Sequence, residues 1–309
     1  MKITSFVVII AISVAVTGCW GGAPLKATPS HLRAGSNQTL EGNAAYKKGC
    51  YQQAFDRFFR AHELFAASNQ MEGVAMSFNN LGAVYRATGD PRSALALFDK
   101  AHDIYKDLGN PSGKRQALCN KAAALIDMNR LDEAQTVLDE IAEQAESASF
   151  IPLLSNRGIL LTKKQDYLGA EKVLRAALDA ADPENLSEQA TLNAALGNLM
   201  RILKRYEEAV AFYQAALEAD RNDGFYKGIA DDLNDMGQVY LEMGNRSAAV
   251  QAWEQSVKVY TLVGLKKDVN EVMANLKTTA EQAGTDISIT ALFVNRWLEG
   301  KQYENLCKD

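Results

Sequence analysis

Apolar residues recur at helical spacing along most of the chain, with polar residues between them. Ala94 and Ala101, for example, stand seven residues apart and therefore lie on one stripe of a helix. The apolar positions are rich in alanine and leucine, and no stretch alternates polar and apolar residues for long enough to indicate a β-strand. The pattern predicts an all-α fold.

The chain also repeats itself. Residues 79–101 read NNLGAVYRATGDPRSALALFDKA, and residues 234–256 read NDMGQVYLEMGNRSAAVQAWEQS in the same frame. In each unit a marker alanine is followed four residues later by a large apolar side chain. Six such pairs are present: Ala54 and Phe58, Ala94 and Phe98, Ala134 and Leu138, Ala170 and Leu174, Ala209 and Tyr213, Ala249 and Trp253.

This order of residues resembles the tetratricopeptide repeat, whose pattern runs L-G-x-x-Y and then A-x-x-x-F. The marker alanines are 36 to 40 residues apart, whereas the usual repeat has about 34 residues. Long repeats of this kind, with the Asn-Leu-Gly of residues 80–82, are similar to those of kinesin light chains. The resemblance implies a right-handed superhelical solenoid of antiparallel helix pairs, with six repeats and C-terminal capping helices.

Glycines inside the predicted helices need a packing reason, because glycine in a helix interior costs about 1 kcal/mol relative to alanine. We expect Gly82 to lie where the two helices of its hairpin approach closely, while Tyr85 and Phe98 fill the space between hairpins. The equivalents of Gly82 are Gly42, Gly158, Gly197 and Gly237. A second set ends the first helices: Gly49, Gly89, Gly244 and Asn129, with Gln165 and Lys204 as less typical residues there.

The amino terminus has the features of an export signal. Lys2 precedes an apolar run over residues 6–16, and Val16-Thr17-Gly18-Cys19 follows. Those last four residues resemble the lipobox of bacterial lipoproteins, which implies cleavage before Cys19 and a diacylglycerol on its thiol. In a Gram-negative host, Trp20 after the cysteine implies sorting to the outer membrane, facing the periplasm. The alternatives are an ordinary secretory signal with an incidental cysteine and an uncleaved membrane anchor, for which the apolar run is short.

The sequence thus divides into four predicted parts. Residues 1–18 are the signal peptide, and residues 19–36, rich in glycine and proline, are a lipidated flexible tether. Residues 37–266 form the solenoid. Residues 267–309 are predicted as a capping helix over 267–283, followed by a tail with an apolar segment at 287–298.

Charge and cysteine content narrow the function classes. The net charge of −5 argues against nucleic acid, because phosphate binding needs a concentrated basic surface. Beyond Cys19, the cysteines are Cys50, Cys119 and Cys307. Cys50 and Cys119 fall two repeats apart, so we predict no disulfide between them.

Catalytic constellations are not evident in the sequence. His62 and His102 occupy equivalent repeat positions, but no cysteine or third histidine joins them in a metal-ligand pattern. Carboxylates such as Asp132 and Glu133 are expected on solvated helix surfaces. We predict that the chain is not an enzyme and uses no metal and no cofactor, apart from the lipid on Cys19.

Amide side chains are enriched beside the Leu-Gly pairs, on the helix face that lines the concave groove of tetratricopeptide proteins. Asparagine is a poor helix former, so its recurrence needs an explanation. A row of amides could hold the backbone of a bound peptide, or it could bridge neighbouring helices of the solenoid. The candidate groove residues are Asn43, Asn79, Asn80, Arg86, Asn120, Asn156, Asn198, Arg201, Asn234 and Gln238.

These features predict a membrane-anchored scaffold that binds a protein or peptide partner in the bacterial cell envelope. Such scaffolds serve the assembly of pili, secretion systems or outer-membrane machinery, as the resemblance to tetratricopeptide lipoproteins implies. The alternative is an accessory or regulatory subunit of a periplasmic cell-wall enzyme. Partner identity separates the two.

Overall fold

The computed structural model describes residues 30–143, residues 150–300 and Cys307. These residues form fourteen α-helices and no strand, which confirms the predicted fold class. The helices are α1 (Ser30–Lys47), α2 (Tyr51–Ala67), α3 (Met71–Ala87), α4 (Pro91–Asp107), α5 (Pro111–Asp127), α6 (Leu131–Ala142), α7 (Ile151–Lys163), α8 (Tyr167–Ala180), α9 (Leu186–Ile202), α10 (Tyr206–Asp223), α11 (Tyr226–Glu242), α12 (Arg246–Val263), α13 (Lys266–Ala283) and α14 (Ser288–Leu298).

Tight turns of one kind join most of these helices. After α3, the amide of Gly89 donates to the carbonyl of Arg86, and the amide of Asp90 donates to that of Tyr85. This is a Schellman motif, in which the residue after the helix takes a left-handed conformation. Asp90 then caps α4 by accepting from the amide of Ser93 at 3.1 Å. One short link therefore closes one helix and starts the next.

The left-handed residues recur every 20 positions through the first half of the chain, at Gly49, Asn69, Gly89, Gly109 and Asn129. Gln165 and Lys204 also take positive φ angles, of 66° and 58°. The same turn therefore forms at these two positions without glycine. A residue with a side chain is less stable than glycine in the left-handed conformation, so each of these turns costs free energy.

Five of the six hairpins are held together by a large side chain that lies over a glycine, and in the hairpin of α5 and α6 the corresponding position is Ala122. The six marker alanines are all 0 % exposed, and the large residues four positions later are at most 2 % exposed. A Cβ atom at Gly82 would lie 2.5 Å from the ring of Phe98, and one at Gly237 would lie 2.5 Å from the ring of Trp253. Phe98 also packs with Ala124 of the next hairpin. The expected close approach within hairpins is confirmed.

A second set of glycines brings successive hairpins together. Gly73 on α3 faces the ring of Phe65 on α2, and Gly113 on α5 faces Tyr105 on α4. The positions of Phe65 and Tyr105 correspond to that of Asp220 on α10, which faces Gly228 on α11. These glycines are visible in the sequence, but each packs against a side chain of the preceding helix, and only the folded structure shows that contact.

The start of the first helix differs from the sequence prediction. Helix α1 begins at Ser30, so residues 30–36 of the predicted tether are helical. Gly35 had indicated flexibility, but in the structure a Cβ atom there would lie 2.6 Å from the ring of Phe65. Gly35 thus serves helix packing. The signal peptide, Cys19 and the tether up to residue 29 lie outside the described residues.

The array curves until its last repeats contact its first. The ring of Tyr46 stacks on that of Phe225, with centroids 6.2 Å apart, and Lys47 pairs with Asp223 at 2.5 Å. Val263 lies directly against Gly49. We call this contact the seam: residues 46–50 on one side, and Asp223, Phe225, Val263, Leu265 and Cys307 on the other.

A disulfide crosses the seam between Cys50 and Cys307, which are 257 residues apart in sequence. Cys119 is a buried free thiol, so the prediction that Cys50 and Cys119 are not bonded is confirmed. The pairing of Cys50 with Cys307 was not predicted, because the repeat register does not reveal how far the array curves.

Replacing Gly82 by valine should lower the free energy of unfolding by about 1–3 kcal/mol, because the new side chain collides with Phe98. Urea unfolding followed by circular dichroism measures this effect. Ala44→Val, at an exposed position of α1, is the control without a packing conflict and should cost well under about 1 kcal/mol, because valine is only a slightly poorer helix former than alanine. Equal stability of the two variants would contradict the packing assigned to Gly82.

Candidate functional site

The concave face of the middle repeats encloses a cavity of about 430 Å³, here called the central pocket. The first helices α5, α7 and α9 supply most of its floor, and the seam residues close one side of it. Its volume lies within the range of small-ligand sites. The lining residues are Tyr46, Lys47, Arg86, Gln116, Cys119, Asn120, Ala123, Ile151, Pro152, Ser155, Asn156, Ser187, Glu188, Thr191, Leu192, Asp223 and Phe225.

The polar groups on the floor of the central pocket are mostly neutral, and apolar residues lie between them. The amide of Gln116 donates to the side-chain oxygen of Asn120 at 3.2 Å. Ser155 is only 4 % exposed, and its Oγ has no hydrogen-bond partner among the described residues. A buried hydroxyl without a partner is unfavourable, so a ligand group that bonded it would gain affinity.

The cations of the pocket wall are already neutralised. The Nε of Arg86 lies 2.6 Å from a carboxylate oxygen of Asp127, and Lys47 pairs with Asp223. A ligand carboxylate would have to compete with these internal partners. The pocket therefore suits uncharged hydrogen-bonding groups, such as main-chain amides, better than a free carboxylate.

Three of the ten candidate groove residues meet in the central pocket, namely Arg86, Asn120 and Asn156. The amide of Asn156 donates to the backbone oxygen of Cys119 at 2.9 Å and so bridges α7 and α5. Asn120 reaches Asn79, which is buried on α3, at 3.5 Å. Asn120 and Asn156 thus combine the two roles that the sequence left open, because they bridge helices and line a cavity.

The other candidates lie elsewhere. Asn43 is exposed on α1, and Asn80 is partly buried on α3. In the later repeats, the Oδ1 atoms of Asn198 and Asn234 accept hydrogen bonds from Arg201 and Trp253. Arg201 and Gln238 both bond to Glu242. The four candidates in the later repeats have partners within the array.

Acid, base and metal chemistry find little support in this site. Burial raises the pKa of the Cys119 thiol to about 12, so it stays protonated and is a weak nucleophile. Burial also raises the pKa of Glu188, with a smaller effect from Asp182. Within residues 30–143 and 150–300, no cluster of histidine, cysteine or carboxylate side chains could hold a metal ion.

A group of buried carboxylates lies between α10 and α11, and the sequence analysis did not identify it. Asp220 and Asp232 are 5 % and 3 % exposed. Burial raises the pKa of Asp232 to about 9, and repulsion by Asp220 and then Asp235 adds to this effect. Burial likewise raises the pKa of Asp220 to about 7. The folded protein therefore favours the protonated acids.

The repeat register contained the signal for these carboxylates. Counted from the helix glycine of each repeat, Asp232 occupies the place of Ser77, Ala117, Leu153 and Leu192, which are all at most 2 % exposed. A charged residue type at a position that is buried in four other repeats indicates an unusual site. Because most carboxylates on helices are solvated, the sequence alone did not lead us to expect a buried Asp232.

Two repeat models match this chain. A tetratricopeptide-repeat model covers residues 36–107 and 187–261, and a second model of the same repeat covers residues 115–140. Together they span more than half of the sequence, in the register that the helices show. The chain belongs to the tetratricopeptide-repeat family.

Relatives by sequence include plant and mammalian proteins of this family. Protein KINESIN LIGHT CHAIN-RELATED 3 of Arabidopsis thaliana is 26 % identical over 264 residues, which cover 79 % of this chain and 39 % of the plant protein. Anaphase-promoting complex subunit 7 of Mus musculus is 27 % identical over 184 residues, which cover 60 % of this chain and 29 % of the mouse protein. The chain thus spans well under half the length of these relatives.

Two solved structures of Rap proteins share the fold. The Rap conjugation gene regulator of plasmid pLS20, in complex with the Phr* peptide, superposes with a TM-score of 0.61 at 18 % identity, over 88 % of this chain and 74 % of that one. A Rap protein complexed with Competence and Sporulation Factor gives 0.57 at 16 % identity, over 82 % and 76 %. These likenesses show that the chain shares the helical-repeat fold of the two Rap proteins.

Asp232→Asn should stabilise the protein increasingly as the pH rises. The pKa of Asp232 in the folded state exceeds its unfolded value near 3.9, so between about pH 4 and about pH 9 the folded state binds more protons and the wild type loses stability as pH rises. The variant should gain at least about 1 kcal/mol over wild type at pH 8 and little near pH 4.

Urea unfolding at several pH values checks this prediction. Asp179→Asn, at an exposed position of α8, is the matched control and should show no such trend. If the Asp232→Asn variant followed the wild type at every pH, Asp232 would not be held protonated in the folded state.

Proposed function

We propose that this chain is an exported, lipid-anchored scaffold of the bacterial cell envelope, and that its central pocket holds an extended, uncharged polar segment of a partner protein. The scaffold would serve the assembly of envelope machinery such as pili, secretion systems or outer-membrane complexes. The central pocket carries this proposal, because amide and hydroxyl groups from successive repeats converge on one concave space.

The chemistry of the pocket supports a peptide segment as the ligand. Asn120, Gln116 and Ser155 offer both donors and acceptors, as the backbone of an extended peptide requires. The Rap neighbours, solved with a peptide and with a competence factor, support the same class of ligand for a closed array of these repeats.

The disulfide supports export. Cys50 and Cys307 are bonded, and disulfides persist mainly in oxidising compartments outside the cytoplasm. This observation fits the signal-like residues 1–18 and the lipobox-like residues before Cys19. None of the helices in the described part of the chain is long and apolar enough to cross a bilayer.

Crosslinking in cells, followed by mass spectrometry, tests the pocket. The double variant Gln116→Ala and Asn120→Ala removes two amides from the pocket floor and should reduce partner capture roughly thirtyfold, because two lost hydrogen bonds cost about 2 kcal/mol in total. The matched control is Asn43→Ala with Asn80→Ala, which removes two amides outside the lining of the central pocket.

Three outcomes are informative. Loss of capture in the pocket variant alone supports the proposal. Equal capture by both variants and the wild type contradicts it. If the proteins whose capture is lost are cell-wall enzymes rather than assembly components, the chain is an accessory subunit of a cell-wall enzyme, and the proposed role in assembly is wrong.

Cys19→Ser tests the anchor. The variant cannot carry a thioether-linked diacylglycerol, so it should leave the membrane fraction or remain unprocessed with a larger mass. Membrane fractionation and intact-mass measurement report both effects. Unchanged fractionation together with unchanged mass would rule out lipidation at Cys19.

A further inference from the structure

The described residues show several kinds of noncovalent contact at the seam. They are the stack of Tyr46 on Phe225, the contact of Val263 with Gly49, the packing of Leu265 and Cys307 against the core around Cys50, and one ion pair. The Lys47 side chain in that pair is 49 % exposed, and exposed ion pairs add little stability. In repeat arrays, stability comes mainly from neighbouring repeats. The disulfide adds a covalent link to these contacts between distant repeats.

The disulfide changes this balance. It joins residues 257 positions apart and so ties the first repeat covalently to the end of the chain. While the bond is intact, the two sides of the seam stay close together, and their contacts re-form readily after any local opening because their effective concentration is high. The closed ring is thus favoured far more when Cys50 and Cys307 are bonded than when they are not.

A reductant can reach this bond. Cys50 is buried, but Cys307 is only partly buried. Both line an open cavity of about 510 Å³ at the seam, together with Gly49, Val263 and Leu265. A dithiol entering this cavity can therefore approach the disulfide from the side of Cys307, the more exposed of the two residues.

We propose that the Cys50–Cys307 disulfide is a redox-controlled latch on the central pocket. A dithiol thiolate attacks Sγ of Cys307, the disulfide breaks, and Cys50 leaves as a thiolate that takes up a proton. The second thiol of the dithiol then displaces Cys307, which also becomes a thiol, and the dithiol leaves as a disulfide. The latch regulates the pocket to which the proposed function assigns the partner, and in that respect it rests on that function.

Opening the seam enlarges the space available to a partner. Tyr46, Arg86 and Phe225 line both the central pocket and a second cavity of about 530 Å³ on the other side of the aromatic stack. The stacked rings of Tyr46 and Phe225 therefore separate the two spaces. When residues 46–50 move away from Phe225, the two cavities join, and a chain-like ligand can enter from the side.

The buried thiol of Cys119 is a built-in reporter. It is 1 % exposed and lines the central pocket, so a bulky maleimide reaches it only when the pocket opens. We expect the full-length double variant Cys50→Ser and Cys307→Ser to be modified at Cys119 roughly tenfold faster than the oxidised wild type, through local rather than global opening. Peptide mass spectrometry identifies the modified cysteine.

Leu174→Ala is the matched control. Leu174 is fully buried in α8, away from the seam, so its truncation destabilises the protein while leaving the disulfide intact. Under native conditions this variant should be modified at Cys119 at the wild-type rate. If the serine variant reacts as slowly as wild type, or if Leu174→Ala reacts as fast as the serine variant, the latch proposal fails.

Small-angle scattering tests reversibility in the Cys119→Ser background, where Cys50 and Cys307 are the only thiols that remain in the described residues. The radius of gyration should increase on reduction with dithiothreitol and return on reoxidation. An unchanged radius overturns the proposal. Neither measurement requires a partner, so failure of the latch and failure of partner binding can be told apart.

Discussion

The close approach of a large side chain to a glycine is the contact on which this structure depends. In the hairpin of α3 and α4, Phe98 lies over Gly82, and in that of α11 and α12, Trp253 lies over Gly237. A hairpin with this geometry buries one face within itself and leaves the other to its neighbour, so repeats must stack. The regular turns then repeat the rotation between hairpins, and the array curves into a ring.

Curvature turns a groove into a pocket. An open superhelix would expose its concave residues along a trough, whereas here the C-terminal end of α1 contacts Asp223 and Phe225. Seam residues therefore become walls of the central pocket, although they are remote in sequence from its floor. The same contact places Cys50 beside Cys307, so the shape of the pocket and the state of the disulfide are physically connected.

The buried acids between α10 and α11 show that successive repeats can depart from the usual apolar pattern and still fold in the same way. Asp220 stands where Phe65 and Tyr105 stand in earlier repeats, and it faces the same kind of glycine, Gly228. Because the protonated acid is favoured, a carboxyl group can occupy an aromatic position at moderate pH. This region should therefore be the pH-sensitive part of an otherwise uniform array.

By itself, the sequence determined the helices, the repeat register and the packing of Gly82, because these depend on spacing within about 40 residues. It also pointed to Asn120 and Asn156, since both stand two residues before the position equivalent to Gly82 in their repeats. Only the tertiary structure decided which amides share a pocket, that α1 begins at Ser30, and that the chain closes through Cys50. The reason is physical: small rotations between hairpins add up over the whole array, and no local pattern records their sum.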